Sequence, residues 1–150
     1  MLALFLFVSS AVMANANCQH SVNEFQCVKF VKNYDADTIT VNIPGVHPLI
    51  GEKISVRVSG IDAPEVKGKQ PCEKEASRIA RNLVENILKN AKRIDLTNVE
   101  KDKYFRILAD VKVDGRDLKE ILLKNDLAYE YHGGTKNQKN WCNRGIASKK

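Results

Sequence analysis

Two aspartates lie at the ends of segments patterned like β-strands, and together they could hold a cation. Asp37 belongs to the short polar segment 35–37, and Asp62 closes an alternating segment that starts at Lys53. If a hairpin brings the two carboxylates together, they repel each other unless a cation or a shared proton compensates. Carboxylate oxygens, with backbone carbonyls and waters, suit a hard cation such as Ca²⁺ or Mg²⁺ better than zinc.

A glutamate and two arginines complete a set that suits phosphate chemistry. Glu65 follows Asp62 across Pro64, where it could accept a proton from a water molecule or orient that water. Arg57 lies inside the alternating segment, and Arg106 lies much further along the chain. Each planar guanidinium can donate to two phosphate oxygens at once and can stabilise charge on a pentavalent phosphorus.

Each of these residues also has a purely structural interpretation when it is considered alone. Asp37 is typical of a turn, since aspartate bonds nearby backbone amides. Glu65 could belong to a loop or a helix cap, and Arg57 could pair with Glu73 or Glu75 at a strand edge. The combination and spacing of the set, rather than any one member, therefore support a functional prediction.

Five predicted strands must position these side chains. Segments rich in β-branched and aromatic residues, with partial alternation, are typical of strands. The predicted strands are Phe25–Tyr34, Thr38–Ile43, Lys53–Ile61, Arg93–Val99 and Arg106–Val113. The third is expected to end before Pro64, because proline cannot donate to a sheet ladder.

Two helices are predicted between and after these strands. Cys72–Asn90 carries apolar side chains at i, i+3, i+4 and i+7, and Asp117–Leu127 repeats the pattern over a shorter length. Residues 133–150 have no apolar period and are predicted to form a loop or a frayed helix. This order of elements predicts an α+β, mainly β fold, namely a five-stranded OB-type barrel with two to three helices.

The N-terminal segment predicts export. Residues 2–13 are apolar or small and uncharged, and Ala14-Asn15-Ala16 has the pattern that signal peptidase accepts. The apolar run is shorter than the roughly 20 residues that a membrane-spanning helix needs. We therefore expect a signal peptide at 1–16, a single domain at 17–150 and a secreted or periplasmic protein without membrane attachment.

The cysteine content predicts disulfides. An even number of cysteines in an exported chain favours disulfide bonds, and the spacing here lacks the paired CxxC units of a zinc site. The cysteines are Cys18, Cys27, Cys72 and Cys142, which allow three pairings. We favour Cys18–Cys27, which would close a short N-terminal loop, and Cys72–Cys142, which would fix the C-terminal tail to the domain.

The charge distribution favours a polyanionic partner. The net charge is +6, and the tail 133–150 contains lysines and an arginine but no acidic residue. A basic surface attracts polyanions, of which nucleic acid is the commonest, although charge alone also fits a merely soluble protein. The sequence points to a monomer and to no stable protein partner.

Three blocks of the sequence together resemble the staphylococcal nuclease (thermonuclease) family. The blocks are Asp35–Thr38, Arg57–Glu65 and Asp102–Arg106, and the resemblance extends from about Val28 to Tyr131. The second block contains Arg-x4-Asp-x-Pro-Glu, a specific pattern, and the order of the blocks around the predicted helix also agrees.

The resemblance implies a five-stranded OB barrel that acts as a calcium-dependent endonuclease. Such an enzyme would cleave phosphodiester bonds of DNA and RNA and leave 3′-phosphate ends. By the same resemblance, the carboxylates of Asp37 and Asp62 bind Ca²⁺, together with the main-chain oxygen of Ala63. The family has threonine at this last position, but a main-chain ligand does not depend on the side chain.

The resemblance also implies roles for the other polar residues. Glu65 is expected to act as general base or to orient the water, and Arg57 and Arg106 to contact the scissile phosphate. Lys103 and Tyr104 match residues that lie near a terminal phosphate.

One departure from the family pattern concerns Arg106. Phe105 stands where glycine usually precedes the second arginine, and a bulky residue in that turn can shift Arg106. Tyr129 and Tyr131 lie near the family's substrate-contacting tyrosines, but their register does not assign them a role.

Two other functions explain the sequence less well than a nuclease does. A non-catalytic OB module that binds nucleic acid or a partner protein is expected to lose the carboxylates or arginines, and this chain keeps all five. An exported sugar- or peptide-binding OB domain would not explain two arginines beside a pair of carboxylates.

Overall fold

The computed structural model describes residues 18–103, 105–136 and 139–143. The predicted signal peptide 1–16, Tyr104 and the end of the basic tail, 144–150, lie outside the described residues. The longer strands are β1 Lys29–Asn33, β2 Thr38–Asn42, β3 Ile54–Val58, β5 Ile94–Lys101 and β6 Ile107–Val113. Three two-residue strands are β4 Ile61–Asp62, β7 Arg116–Asp117 and β8 Tyr129–Glu130. The helices are α1 Pro48–Gly51, α2 Pro71–Lys89 and α3 Leu118–Lys124, with a 3₁₀ turn at Trp141–Asn143.

The five longer strands form one curled sheet in the order β1-β2-β3-β6-β5. Neighbouring strands are antiparallel except for β3 and β6, which run parallel. Just before β1, Phe25 exchanges backbone hydrogen bonds of 2.9 and 2.8 Å with Leu96 of β5 at the opposite edge. The sheet therefore curls back on itself, and the predicted α+β fold of OB type is confirmed.

The core lies inside this curled sheet and beneath α2. Alternate residues of a strand point to the same face, so Ile39 and Val41 of β2 are buried together with Val56 and Val58 of β3. In α2, the buried side chains Ala76, Ala80, Val84 and Leu88 recur every four residues. This spacing forms one apolar stripe along the helix, which packs on the sheet and leaves the charged face in solvent.

The predicted third strand, Lys53–Ile61, is wrong in its bounds. The chain turns at Ser59 and Gly60, where Gly60 takes a φ of 75° that glycine adopts without steric cost. Ile61 and Asp62 then leave β3 and pair as β4 with Glu130 and Tyr129 of β8. The turn matters for function because it redirects Asp62.

Two further elements were not expected. The predicted loop after β2 contains the short helix α1, whose first turn is capped by His47. The tail that was predicted to be a loop or frayed helix contains the 3₁₀ turn at Trp141–Asn143. Trp141 is buried there with its ring edge-to-face against Tyr129, at 4.7 Å between centroids.

Both favoured disulfides are present. Cys18 bonds to Cys27 across nine residues, and Cys72 bonds to Cys142 across 70 residues. The second bond ties the first turn of α2 to the 3₁₀ turn of the tail. Among the described helices, none is both long and apolar enough to cross a membrane.

Candidate active site

Strand register brings the first aspartate beside the first arginine. Asp37 ends the turn between β1 and β2, and Thr38 of β2 lies directly opposite Arg57 of β3. The amide of Val58 donates to the Asp37 carbonyl at 2.9 Å, which extends the ladder past the end of β2. Asp37 and Arg57 therefore reach the same end of the sheet.

The Arg57 guanidinium lies between the two aspartates. Its Nη1 contacts Oδ1 of Asp37, and its Nη2 lies 3.5 Å from Oδ1 of Asp62. Nη2 also donates to the Ile61 carbonyl at 3.0 Å, and the arginine side chain is only 13% exposed. Two carboxylates, one from the turn before β2 and one from β4, thus face one cation. The alternative pairing of Arg57 with Glu73 or Glu75 is wrong, because Asp37 and Asp62 occupy the guanidinium.

Asp37 is fixed on every side. It is 2% exposed, its Oδ2 accepts a 2.7 Å hydrogen bond from the Ala63 amide, and its Oδ1 accepts one of 3.3 Å from the Thr38 hydroxyl. The Asp37 amide donates to Oδ1 of Asp35 at 3.2 Å. Burial, together with the charge of Asp37, raises the pKa of Asp35 to about 7. Asp35 therefore holds a proton more readily than an ordinary aspartate does.

A lysine of the tail completes this cluster, although it was not among the predicted site residues. Nζ of Lys136 lies 2.6 Å from Oδ1 of Asp62 and 2.9 Å from Oε1 of Glu65. Burial works to lower the pKa of Lys136, but the two carboxylates outweigh it and the pKa is raised, so the side chain stays charged. The only sequence signal was the basic tail, which does not single out one lysine.

Glu65 lies at the mouth of a cavity of about 430 Å³. Its side chain is 52% exposed, and its amide donates to Oε1 of Glu73 at 3.3 Å. The loop after Pro64 and the tail line the cavity, which contains four lysines: Lys67, Lys69, Lys136 and Lys139. Glu65 thus combines access to water with a surface that attracts anions.

Arg106 lies at the start of β6 and pairs locally. Its Nε donates to Oδ2 of Asp102 at 2.6 Å. Burial works to raise the pKa of Asp102, but the Lys103 amide, Arg106 and the charge of Arg57 outweigh it, so the pKa is lowered. Arg57 of β3 lies opposite Leu108 of β6, and Arg106 directly precedes β6, so the two arginines lie on neighbouring segments. Lys103 is exposed in the same loop, and Tyr104 lies outside the described residues.

The turn before Arg106 keeps the shape that a glycine would give it. Phe105 takes a φ of 59°, and its side chain is 98% exposed. The Asp102 amide donates to the Arg106 carbonyl at 2.9 Å, so the loop closes despite the bulky residue. Phe105 is accommodated by pointing outward rather than by displacing Arg106 from the start of β6.

The oxygen donors at this site suit a hard cation. Asp37 and Asp62 converge, whereas no group of three or more His, Cys, Asp or Glu that could hold a metal occurs in the described part of the chain. Two carboxylates, completed by backbone, water and phosphate oxygens, match the way Mg²⁺ and Ca²⁺ bind at phosphate-processing sites. All described cysteines are in disulfides, so thiolates do not compete as ligands.

Comparison with known proteins identifies a family that this chain matches. Residues 55–144 match the family model described as staphylococcal nuclease homologue, a stretch that contains Arg57, Asp62, Glu65 and Arg106 but not Asp37. The chain is 35% identical over 133 residues to endonuclease YncB of Bacillus subtilis, covering 81% of this chain and 58% of that protein.

Two further relatives are longer proteins. The chain is 32% identical over 83 residues to staphylococcal-like nuclease CAN1 of Arabidopsis thaliana, covering 55% of this chain and 24% of that protein. It is 37% identical over 112 residues to SPbeta prophage-derived endonuclease YokF of Bacillus subtilis, covering 68% of this chain and 34% of that protein. The chain thus spans between a quarter and three fifths of these relatives.

Proposed function

Because this chain belongs to the staphylococcal nuclease family, we propose that it is an endonuclease that hydrolyses phosphodiester bonds in DNA and RNA. The single observation that best supports this is the Arg57 guanidinium held between Asp37 and Asp62, next to Glu65. Two of the relatives are named endonucleases, and the third is named a nuclease. The reaction would leave 3′-phosphate ends.

Arg57 and Arg106 would bind and stabilise the phosphate. The Arg57 guanidinium is held by buried partners, so its donors are oriented before a substrate arrives. Preorganised donors stabilise charge that develops in the transition state without reorganising at that moment. Arg106 would add a second cation, and Lys103 and Tyr104 would contact a neighbouring phosphate. In this arrangement the carboxylates orient the arginines as well as balancing their charge.

Glu65 would handle the attacking water. Its carboxylate is half exposed at the cavity mouth, so it can accept a proton from water or orient that water toward phosphorus. The contact with Lys136 must loosen for Glu65 to act on water, because the lysine ammonium occupies its Oε1.

Asp37, Asp62 and the Ala63 carbonyl would hold Ca²⁺. When bound, the ion would supply positive charge to the phosphate oxygens and lower the pKa of a water molecule. Asp37 is held rigidly by the Ala63 amide, which limits the loss of side-chain freedom on cation binding. Before these oxygens can bind the ion, Lys136 must release Oδ1 of Asp62, and Arg57 must release Oδ1 of Asp37 and of Asp62.

We further propose that the protein is secreted or periplasmic and acts as a monomer. The two disulfides support this location, since such bonds persist in oxidising compartments. N-terminal sequencing of the exported protein should give Asn17 as its first residue. A first residue inside the apolar segment 2–13 would contradict the proposed signal peptide.

A plasmid-nicking assay tests the proposed activity. Oxidised protein should nick supercoiled DNA and cut RNA in Ca²⁺, and chelator should stop both reactions. Glu65→Gln should reduce the rate by about 10²- to 10⁴-fold, the usual contribution of a general base. DNA polymerase should extend the products only after a phosphatase has removed their 3′-phosphates. Intact DNA and RNA after incubation of disulfide-bonded protein with Ca²⁺ would reject the proposal.

One observation favours a second candidate, a non-catalytic module that binds nucleic acid. Lys136 neutralises Asp62 and Glu65, the carboxylates that the hydrolytic reaction needs. The same assay separates the two functions, because such a module would retard oligonucleotides in Ca²⁺ without cutting them.

A further inference from the structure

Phe105 has an unfavourable backbone conformation and an exposed apolar ring, and neither contributes to the stability of the domain. Its φ of 59° brings Cβ close to a carbonyl oxygen, which disfavours every residue except glycine and a few small polar ones. Its ring is 98% exposed, so burial contributes nothing in return. Among the described residues, the other large apolar residue that is almost fully exposed is Val22, which lies between Cys18 and Cys27, far along the chain from the arginines.

The turn itself does not require a phenylalanine. The Arg106 amide donates to the Lys103 carbonyl at 3.3 Å, and the Asp102 amide donates to the Arg106 carbonyl at 2.9 Å. These bonds fix the backbone, and glycine would satisfy the same φ without steric cost. Strained residues of this kind cluster at functional sites. Packing against the described residues therefore does not explain why position 105 carries a phenylalanine ring.

The position of Phe105 indicates what the ring meets. Ile107 of β6 pairs with Val56 of β3, so Phe105 and Arg106 lie just outside the sheet, next to the strand that carries Arg57. The neighbouring cations attract a polyanion. A flat apolar ring directly before Arg106 in the chain offers a nucleic acid strand both of the contacts that it uses, namely phosphate to cation and base to aromatic face.

We propose that Phe105 is a stacking platform for an unpaired nucleobase of the substrate strand, next to the phosphate that Arg106 binds. The inference rests on the proposed nuclease function and adds a binding subsite to it. A base in a duplex is already stacked between its neighbours, so the platform serves single strands and locally opened duplexes. Base identity matters little, because every base has a flat face.

Binding of labelled oligonucleotides tests the platform. All proteins carry Glu65→Gln to prevent cleavage, and fluorescence anisotropy in Ca²⁺ reports the Kd for one single-stranded and one double-stranded DNA. Phe105→Ala should weaken single-strand binding by about 5- to 100-fold, the usual range for loss of one stacked base. Duplex binding should change less than about twofold, and Phe105→Tyr should restore single-strand affinity.

Leu49→Ala is the matched control. Leu49 is also an exposed apolar residue, but it lies in α1, at the opposite end of the β2–β3 hairpin from Arg57. The Leu49→Ala variant should bind both DNAs with the same Kd as the parent protein. Equal single-strand affinity of Phe105→Ala and parent would overturn the platform, and so would an equal loss for both DNAs. Phe105-dependent dimerisation in analytical ultracentrifugation would overturn it as well.

Failure of the proposed function would look different. A parent protein that binds neither DNA and, with Glu65 intact, cuts neither DNA nor RNA would reject the nuclease. A parent that cuts both, but whose Phe105→Ala variant binds single strands unchanged, would reject only the platform.

Discussion

The ammonium of Lys136 lies 2.6 Å from Oδ1 of Asp62, on the carboxylate that also faces Arg57. The lysine comes from the tail, which Cys142 ties to the start of α2. A tethered cation and a divalent ion cannot both occupy the same carboxylate oxygen. In the proposed calcium site, the tail would therefore help to set how strongly the ion binds.

Lys136→Gln should bind Ca²⁺ more tightly than the parent protein, by about two- to fivefold. The variant removes a competing charge whose pairing is worth less than about 1 kcal/mol, because the lysine is partly exposed. Isothermal titration calorimetry measures the change directly. Lys139→Gln is the matched control, since Lys139 lies over the Tyr129 ring at 4.8 Å in the same cavity. Unchanged or weaker Ca²⁺ binding by Lys136→Gln would contradict the competition.

Arg57→Gln should lower kcat by about 10²- to 10³-fold, the cost of removing one preorganised donor from a transition state. Arg57→Lys should rescue little, because an ammonium cannot reach both aspartates with two parallel donors. Nicking rates at saturating DNA measure both effects. Arg78→Gln serves as control, since Arg78 forms an exposed pair with Glu75 on α2. Nicking by Arg57→Gln at the parental rate would remove Arg57 from the mechanism.

The two disulfides should differ in their contribution to stability. Closing a longer loop restricts the unfolded chain more, so the chain-entropy relation gives about 4.4 kcal/mol for the 70-residue separation and about 2.6 kcal/mol for nine residues. Chemical denaturation should therefore show a larger loss for Cys72→Ser/Cys142→Ser than for Cys18→Ser/Cys27→Ser. A larger loss of stability for Cys18→Ser/Cys27→Ser would show that chain entropy does not determine how much each disulfide contributes.

Glycine at position 105 should be more stable than alanine, by about 1 kcal/mol. Alanine keeps the Cβ that makes a φ of 59° unfavourable, whereas glycine adopts this conformation freely. Urea denaturation of Phe105→Gly and Phe105→Ala measures the difference. If the alanine variant is as stable as the glycine variant, the turn does not need a left-handed residue.

Asp110 should give the stability a dependence on acid pH. Burial works to raise its pKa, but hydrogen bonds from Ser59 and Asn98 and the ammonium of Lys119 outweigh it, so the pKa lies below the ordinary 3.8. The folded state then binds a proton less readily than the unfolded chain. This contribution is complete above about pH 5 and is lost as the pH falls through the folded pKa.

Asp110→Asn removes this titration and provides the measurement. Its free energy of unfolding should fall less steeply between about pH 5 and 3 than that of the parent protein. Parallel pH profiles for Asp110→Asn and the parent would contradict the shift at Asp110.

Much of the fold was predictable from local patterns. Alternation in β2 and β3 and the four-residue stripe of α2 arise from the geometry of single elements, so each is visible in a short window of sequence. The blocks around Asp37, Arg57 and Arg106 likewise identified the family, because each block is short and contiguous. The bends were harder to predict. Strand β3 ends before Gly60, because Ile61 and Asp62 pair instead with β8, which lies far along the chain.

The sequence by itself determined the residue types, the order of the five longer strands and of the two longer helices, and the family of this protein. Only the tertiary structure decided that Arg57 bridges Asp37 and Asp62, that Lys136 reaches Asp62 and Glu65, and that Phe105 faces solvent. The physical reason is that these contacts depend on distances between segments as far apart in the chain as Asp62 and Lys136. Such distances are fixed together by the sheet register, by the turn at Gly60 and by a disulfide. A local sequence pattern cannot predict their combined effect.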